Sequence, residues 1–95
     1  VKIVDEGKIA AFGTKHPPAR SPLARWQEIT ADAKWKKPSD MKQLFPSADL
    51  VGPQTVFNIG GNKYRLIASI SYRVQLVVVD DVLTHADYSQ GDWKK

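Results

Sequence analysis

The stretch that decides the fold is Thr55-Val56-Phe57-Asn58-Ile59-Gly60-Gly61-Asn62-Lys63-Tyr64-Arg65-Leu66-Ile67-Ala68-Ser69-Ile70-Ser71-Tyr72. Thr55–Ile59 has strand character, and Gly60-Gly61 is a strong hairpin signal because both turn positions can take positive φ. Asn62–Tyr72 then reads as a long returning strand. Its even positions, Tyr64, Leu66, Ala68, Ile70 and Tyr72, are mostly apolar, and its odd positions, Lys63, Arg65, Ser69 and Ser71, are mostly polar. Period-two alternation puts one face on a core and leaves the other for solvent or a ligand.

Outward from this hairpin, the two halves of the chain differ. Downstream, Arg73-Val74-Gln75 forms a turn and Leu76–Val79 a buried strand that continues to Leu83. Thr84 caps a short helical stretch over Ala86–Gln90, which Gly91 ends. Upstream, Val1–Val4 is a short opening strand, and Asp5 and Glu6 precede a helix carrying Ile9, Ala10 and Phe12 that Gly13 and His16-Pro17-Pro18 close. Ser21-Pro22 reads as an N-cap followed by proline at the first helical position. Leu23, Trp26, Ile29, Thr30 and Ala33 supply the apolar stripe of a helix over Ser21–Lys34. Ser39-Asp40 caps a shorter helix through Leu44, and residues 46–53 read as a loop. Helices followed by an antiparallel meander make an α+β domain.

At 95 residues the chain has room for one domain, 1–95. It contains no cysteine, so disulfides, Cys-based zinc sites and cysteine nucleophiles are excluded. No apolar run approaches the roughly 20 residues of a membrane span, and the expected location is the cytoplasm. The net charge of +4 lies in the first half: residues 1–47 hold nine Lys/Arg against five Asp/Glu, whereas 48–95 hold five of each. Such a charge suits a polyanionic partner and equally describes a solvated basic face.

Candidate chemistry is sparse. The two histidines, His16 and His85, have no metal-ligand spacing, so no metal or other cofactor is expected. Gly60-Gly61-Asn62-Lys63 lacks the spacing of a phosphate loop. Lys63 and Arg65 share the polar strand face; they are ordinary surface cations or, as a point charge and a bidentate fork, a phosphate site. His85 and Tyr88, three apart on a helical turn, offer a proton acceptor or donor and a hydroxyl. Of the three tryptophans, Trp26 belongs to the helical stripe, Trp35 beside Lys36-Lys37 reads as half exposed, and Trp93 lies near the end of the chain.

Val56–Ile67, with its Asn58-Ile59-Gly60-Gly61-Asn62-Lys63-Tyr64-Arg65 centre, resembles the core signature of the HigB-type toxins of the RelE-like toxin–antitoxin superfamily. Leu83-Thr84-His85-Ala86-Asp87-Tyr88 is similar to that family's Thr-His-x-Glu-Tyr motif. Trp35-Lys36-Lys37-Pro38-Ser39-Asp40 and Phe45-Pro46-Ser47-Ala48 fit in the same order. The resemblance implies a small antiparallel sheet with N-terminal helices packed on one face. It implies the toxin of a type II toxin–antitoxin system, a metal-free endoribonuclease that cleaves mRNA on the ribosome. Attack by a ribose 2′-OH would leave a 2′,3′-cyclic phosphate. A cognate helix-turn-helix antitoxin would hold the toxin inactive. Arg65, His85 and Tyr88 would carry the chemistry, and Lys36, Lys37, Asn62 and Lys63 would bind RNA.

Asp80 stands where the family usually has Arg, and Ser89 and Gln90 replace a common acid and Lys. Period two puts Asp80 on the face of Val78 and Val82. A carboxylate at the site would repel phosphate and slow cleavage. In that case a weakened homologue that binds antitoxin, RNA or ribosome is the alternative function. A DNA-binding regulator fits poorly, because the chain has no helix-turn-helix pattern.

Overall fold

The computed structural model describes residues 1–91 and Trp93. Its elements run β1 (Lys2–Val4), α1 (Gly7–Lys15), α2 (Arg20–Asp32), α3 (Pro38–Leu44), β2 (Asp49–Val51), β3 (Gln54–Ile59), β4 (Tyr64–Ser71), β5 (Leu76–Thr84) and α4 (His85–Gln90). The sheet order is β1-β5-β4-β3-β2. β3, β4 and β5 form the expected antiparallel meander, and β2 extends it by one more antiparallel strand on β3. β1 adds to its edge in parallel, with Lys2 opposite Leu76: the helices carry the chain to β2 at the opposite edge, and the strands that follow bring it back so that β5 lies beside β1.

One face of the sheet carries the core. Phe57, Leu66, Ala68, Val77, Val79 and Val82 meet Ile9, Leu23, Trp26 and Met41 from the helices. Trp26 and Phe45 each pack edge-on to Phe57, at 5.4 and 5.1 Å between centroids. The even-numbered residues of β4 face this core, as the alternation requires. Val56 and Ile67 are also buried but lie outside the cluster, opposite each other across β3 and β4.

Several local readings change. A 3₁₀ turn at Pro17–Ala19 runs straight into α2, so Ala19 precedes the helix and Ser21 sits inside its first turn. Ala19 is fully buried, and this anchoring takes the place of a hydroxyl cap. Glu6 makes no side-chain cap to α1; its carboxylate accepts from Gln27 Nε2 at 3.1 Å. Gly13 does not end α1 but lies buried within it, where Arg20 Nε donates to its carbonyl at 3.0 Å. Residues 46–53 include β2, which the loop composition concealed. Trp35 is 2% exposed rather than half exposed. Its backbone N–H donates to Gln75 Oε1 at 3.1 Å, and Phe45 meets its ring edge-on.

The hairpin turn is longer than two residues. Ile59 pairs with Tyr64, leaving Gly60–Lys63 as the connection. Gly60 and Gly61 have φ of 63° and 70°. A Cβ on Gly60 would also stand 3.4 Å from the Tyr64 ring and 3.5 Å from Pro22, so the turn needs glycine there for conformation and for space.

Candidate active site

Arg65 is the organising residue. It sits on β4 opposite Asn58 of β3 and Leu83 of β5, on the face away from the core. It is only 8% exposed. A guanidinium so placed needs partners to offset lost hydration. Nη2 donates to Asn62 Oδ1 at 2.7 Å, and Nη1 donates to the Tyr64 carbonyl at 3.1 Å. The Tyr88 ring lies 5.3 Å from Cζ, within cation–π range. Two of the five guanidinium N–H groups are thus committed among the described residues, and three remain to meet an anion.

α4 closes this end of the sheet. Thr84 Oγ1 accepts from the Asp87 N–H at 3.2 Å as the expected N-cap. The His85 N–H donates to the Lys63 carbonyl at 2.9 Å, joining the start of α4 to the β3–β4 turn. Gly91 ends the helix with φ 79°. Trp93 stacks on Tyr88 at 5.0 Å and 16°, and its Nε1–H donates to the Tyr88 carbonyl at 3.0 Å. Arg65, Tyr88 and Trp93 therefore form a layered stack, with His85 exposed beside it.

The structure brings together Asn62, Lys63, Arg65, His85 and Tyr88. Asn62 and Lys63 belong to the turn, not to β4, so Lys63 does not share a strand face with Arg65. Asn62 accepts a hydrogen bond from Arg65 and so positions it. Lys36 and Lys37 are not in this group. They are exposed at the start of α3, and Lys36 lines a cavity with Lys34, Tyr72, Arg73 and Gln75. Tyr72 is seven residues along the chain from Arg65, about 23 Å of strand. Sequence adjacency to a buried Trp cannot reveal such a separation.

Asp80 is corrected too. The β4–β5 register skips between Ile67, opposite Asp81, and Ala68, opposite Val79. Asp80 is the extra residue of a bulge, which flips the alternation. Val82 joins the core, while the Asp80 carboxylate turns to the other face. There it accepts from Ser69 Oγ at 2.6 Å and Gln54 Nε2 at 3.0 Å. Ser69 is four residues from Arg65, about 13 Å of strand. At the effective dielectric of about 20 that suits partly buried groups, two unit charges at that separation couple by about 1.3 kcal/mol, which salt at about 0.1 M reduces severalfold.

Two further residues were not singled out from sequence. Arg25 of α2 and Asn58 of β3 line a cavity of about 440 Å³ that reaches Gly60 and Gly61. A two-residue turn at Gly60-Gly61 would put Asn58 opposite Lys63; the longer connection puts it opposite Arg65, and nothing in the helix pattern marked Arg25. His16 stacks on Phe12 at 4.5 Å, which accounts for it by packing. No group of three His, Asp or Glu among the described residues is arranged to hold a metal ion.

Residues 19–91 match the family described as HigB toxin, RelE-like toxic component of a toxin-antitoxin system. That span contains the hairpin, the bulged strand and the capped helix α4. The chain belongs to the HigB family of RelE-like toxins. It is 32% identical over 77 residues to the mRNA interferase toxin HigB of Escherichia coli K12, covering 78% of this chain and 74% of that protein. The mRNA interferase HigB of Shigella flexneri is similar to the same extent. Within this HigB-family chain, Arg65 and the turn before it form the part of the site most firmly built, and His85 and Tyr88 reach it on α4.

Proposed function

We propose that this chain, as one domain over 1–95, is the toxin of a type II toxin–antitoxin system. Its reaction is mRNA cleavage on the ribosome in the cytoplasm. The observation that carries this reading is the Arg65 cradle: a nearly buried guanidinium with a fixed orientation and N–H groups left over for a phosphate. Fixed charge at the place where negative charge develops is the largest single contribution available to phosphoryl chemistry. The names of its relatives, and a net charge of +4, agree with an RNA substrate.

In the reaction a ribose 2′-oxygen bonds to the adjacent phosphorus and the phosphorus–O5′ bond breaks. The products are a 2′,3′-cyclic phosphate and a 5′-OH. Arg65 stabilises the charge on the non-bridging oxygens, with Lys63 adding a point charge from the turn. His85 exchanges protons with the 2′-OH and O5′, one at a time, and Tyr88 holds Arg65 and orients the RNA. The chain's own residues supply each of these roles without a metal or cofactor. Lys36 and Lys37 touch RNA away from the reacting bond. A helix-turn-helix antitoxin restrains the protein by covering the Lys63–Arg65–His85 end or by blocking ribosome entry.

The test is induction in cells with mRNA ends mapped, and cleavage by the purified toxin on programmed ribosomes with and without EDTA. Cyclic-phosphate and 5′-OH ends, insensitive to EDTA, are expected. Ends bearing a 5′-phosphate, or loss of cleavage in EDTA, would overturn the mechanism. Co-expression with the product of the adjacent gene should give a nanomolar complex, and no association at micromolar concentration would refute the antitoxin assignment.

A further inference from the structure

We propose that the cationic groove at the opposite end of the sheet, formed by Lys34, Lys36 and Arg73, is a second RNA site that binds the sugar–phosphate backbone at a distance from the cleaved bond. The inference rests on the reading of the protein as an RNA-directed toxin and adds a binding site to it.

The groove has a volume of about 540 Å³, and no Asp or Glu is among the described residues that line it. Its base is rigid. Trp35 is buried between two exposed lysines, so the extended segment turns its indole inward and presents Lys34 and Lys36 outward. The side chain of Gln75 ties this segment to the β4–β5 turn. Its Nε2 donates to the Tyr72 carbonyl at 2.8 Å and to the Trp35 carbonyl, and its Oε1 accepts from the Trp35 N–H at 3.1 Å. Gln75 takes φ 57° to do so. Arg73 stands in that turn, exposed and facing the lysine pair across the groove. Asp40, an acid on the lysine side, accepts from the Lys36 backbone N–H at 3.0 Å.

Cations that flank an aromatic ring and an amide are the groups that contact phosphate and sugar without reading bases. Arg65 to Ser71 is six residues of β4, about 20 Å of strand, and Arg73 stands in the turn beyond that end. One RNA strand several nucleotides long can therefore engage both ends, and a single phosphate cannot. The competing occupant is an acidic face of the antitoxin.

The test uses the full chain with Lys34→Ser/Arg73→Ser, both exposed and outside the proposed chemistry. Binding of a 20-nucleotide single-stranded RNA is followed by fluorescence anisotropy from about 50 to 200 mM KCl. Each phosphate contact contributes about 0.7 to the slope of log affinity against log salt, so the pair should make it shallower by about 1.4. Lys15→Ser, a charge removed outside the groove, should leave the slope unchanged. The effect of the pair should add to that of Arg65→Ala, because sites this far apart act independently. An unchanged slope in the pair variant would overturn the proposal. So would an equal loss per charge in Lys15→Ser, or RNA binding kept while antitoxin binding is lost. The measurement needs no cleavage, so a failed cleavage mechanism and a failed groove give different results.

Discussion

The two ends of the β4 strand hold their cations in opposite ways. At the turn end, Arg65 is nearly buried, donates to Asn62 and the Tyr64 carbonyl, and lies against the Tyr88 ring. At the other end, Lys34, Lys36 and Arg73 are exposed on a rigid base, with their own side chains free to move in solvent. The first arrangement has met its desolvation and ordering costs during folding, so its charge can act fully on a transition state. The second keeps hydrated charges whose attraction to a polyanion is spread out and screened by salt. Catalysis and affinity are therefore expected to separate along a single strand.

The largest test of that separation is Arg65→Ala. Removing one preorganised donor should lower single-turnover cleavage by on the order of 10² to 10³. Arg65→Lys should recover little, because an ammonium cannot hold Asn62, the Tyr64 carbonyl and a phosphate in a planar fork. Lys36→Ala/Lys37→Ala should instead weaken RNA binding in a salt-dependent way and leave the bound-state rate within a few-fold. Equal rate losses at the two ends would break the comparison.

A smaller effect is expected from the stack over Arg65. Cation–π contacts contribute about 0.5–2 kcal/mol, so Tyr88→Ala should slow cleavage roughly tenfold by loosening the guanidinium. Tyr88→Phe keeps the ring and removes the hydroxyl. If the ring acts by positioning Arg65, the Phe variant should retain most of the activity. If its rate falls as far as that of the Ala variant, the hydroxyl takes part directly in proton transfer or RNA contact.

What could be read from the chain beforehand follows the range of the interactions involved. The alternation in Tyr64–Ser71 and the Thr84 cap with Gly91 are local, and the structure keeps both; Gly60 and Gly61 take the positive φ expected of them, but in a connection of four residues rather than two. Arg65, His85 and Tyr88 could be named because the turn and the cap are written in adjacent residues. The failures are long-range. β2 forms only because β3 is there to pair with it. Ala19 replaces Ser21 at the start of α2 because the core takes it in. Trp35 is buried although lysines surround it in sequence, and Lys36 beside it lines a groove with Tyr72 and Arg73, away from Arg65. The bulge at Asp80 depends on the register with β4, which period-two counting along one strand cannot see.

Asp80 sharpens the comparison from the middle of the same face. Its carboxylate is held by Ser69 and Gln54, and its carbonyl accepts from Lys8 Nζ at 3.0 Å. At about 0.15 M salt Asp80→Arg should leave the bound-state cleavage rate within about threefold, since the charge lies about 13 Å of strand from Arg65, beyond the Debye length of about 8 Å. Its main cost should be to stability, about 1–3 kcal/mol, as the half-buried Ser69 and Gln54 side chains lose an acceptor. Urea denaturation and cleavage measured on the same preparations would decide this. A tenfold acceleration at that salt concentration would mean that the carboxylate acts on the chemistry.

The smallest effect tests the rigid end alone. Tyr72 lines the far groove, while its hydroxyl is buried with no hydrogen-bond partner of good geometry among the described residues. Burial raises its pKa, against a smaller lowering from the nearby Thr55 side chain. Above the ordinary tyrosine value of about 10, the unfolded chain loses this proton while the folded chain keeps it. The folded state then binds more protons, so this contribution to stability is full below pH 10 and is lost as the pH rises through the raised pKa. Tyr72→Phe removes the titration and an unpartnered buried hydroxyl together. Near pH 8 the variant should be as stable as the parent or slightly more so. At pH 10.5 it should be clearly the more stable, and the gap in urea midpoint should open only above pH 10. Parallel midpoints across that range would show that the hydroxyl ionises alike in both states and that this end of the sheet is more open than its packing indicates.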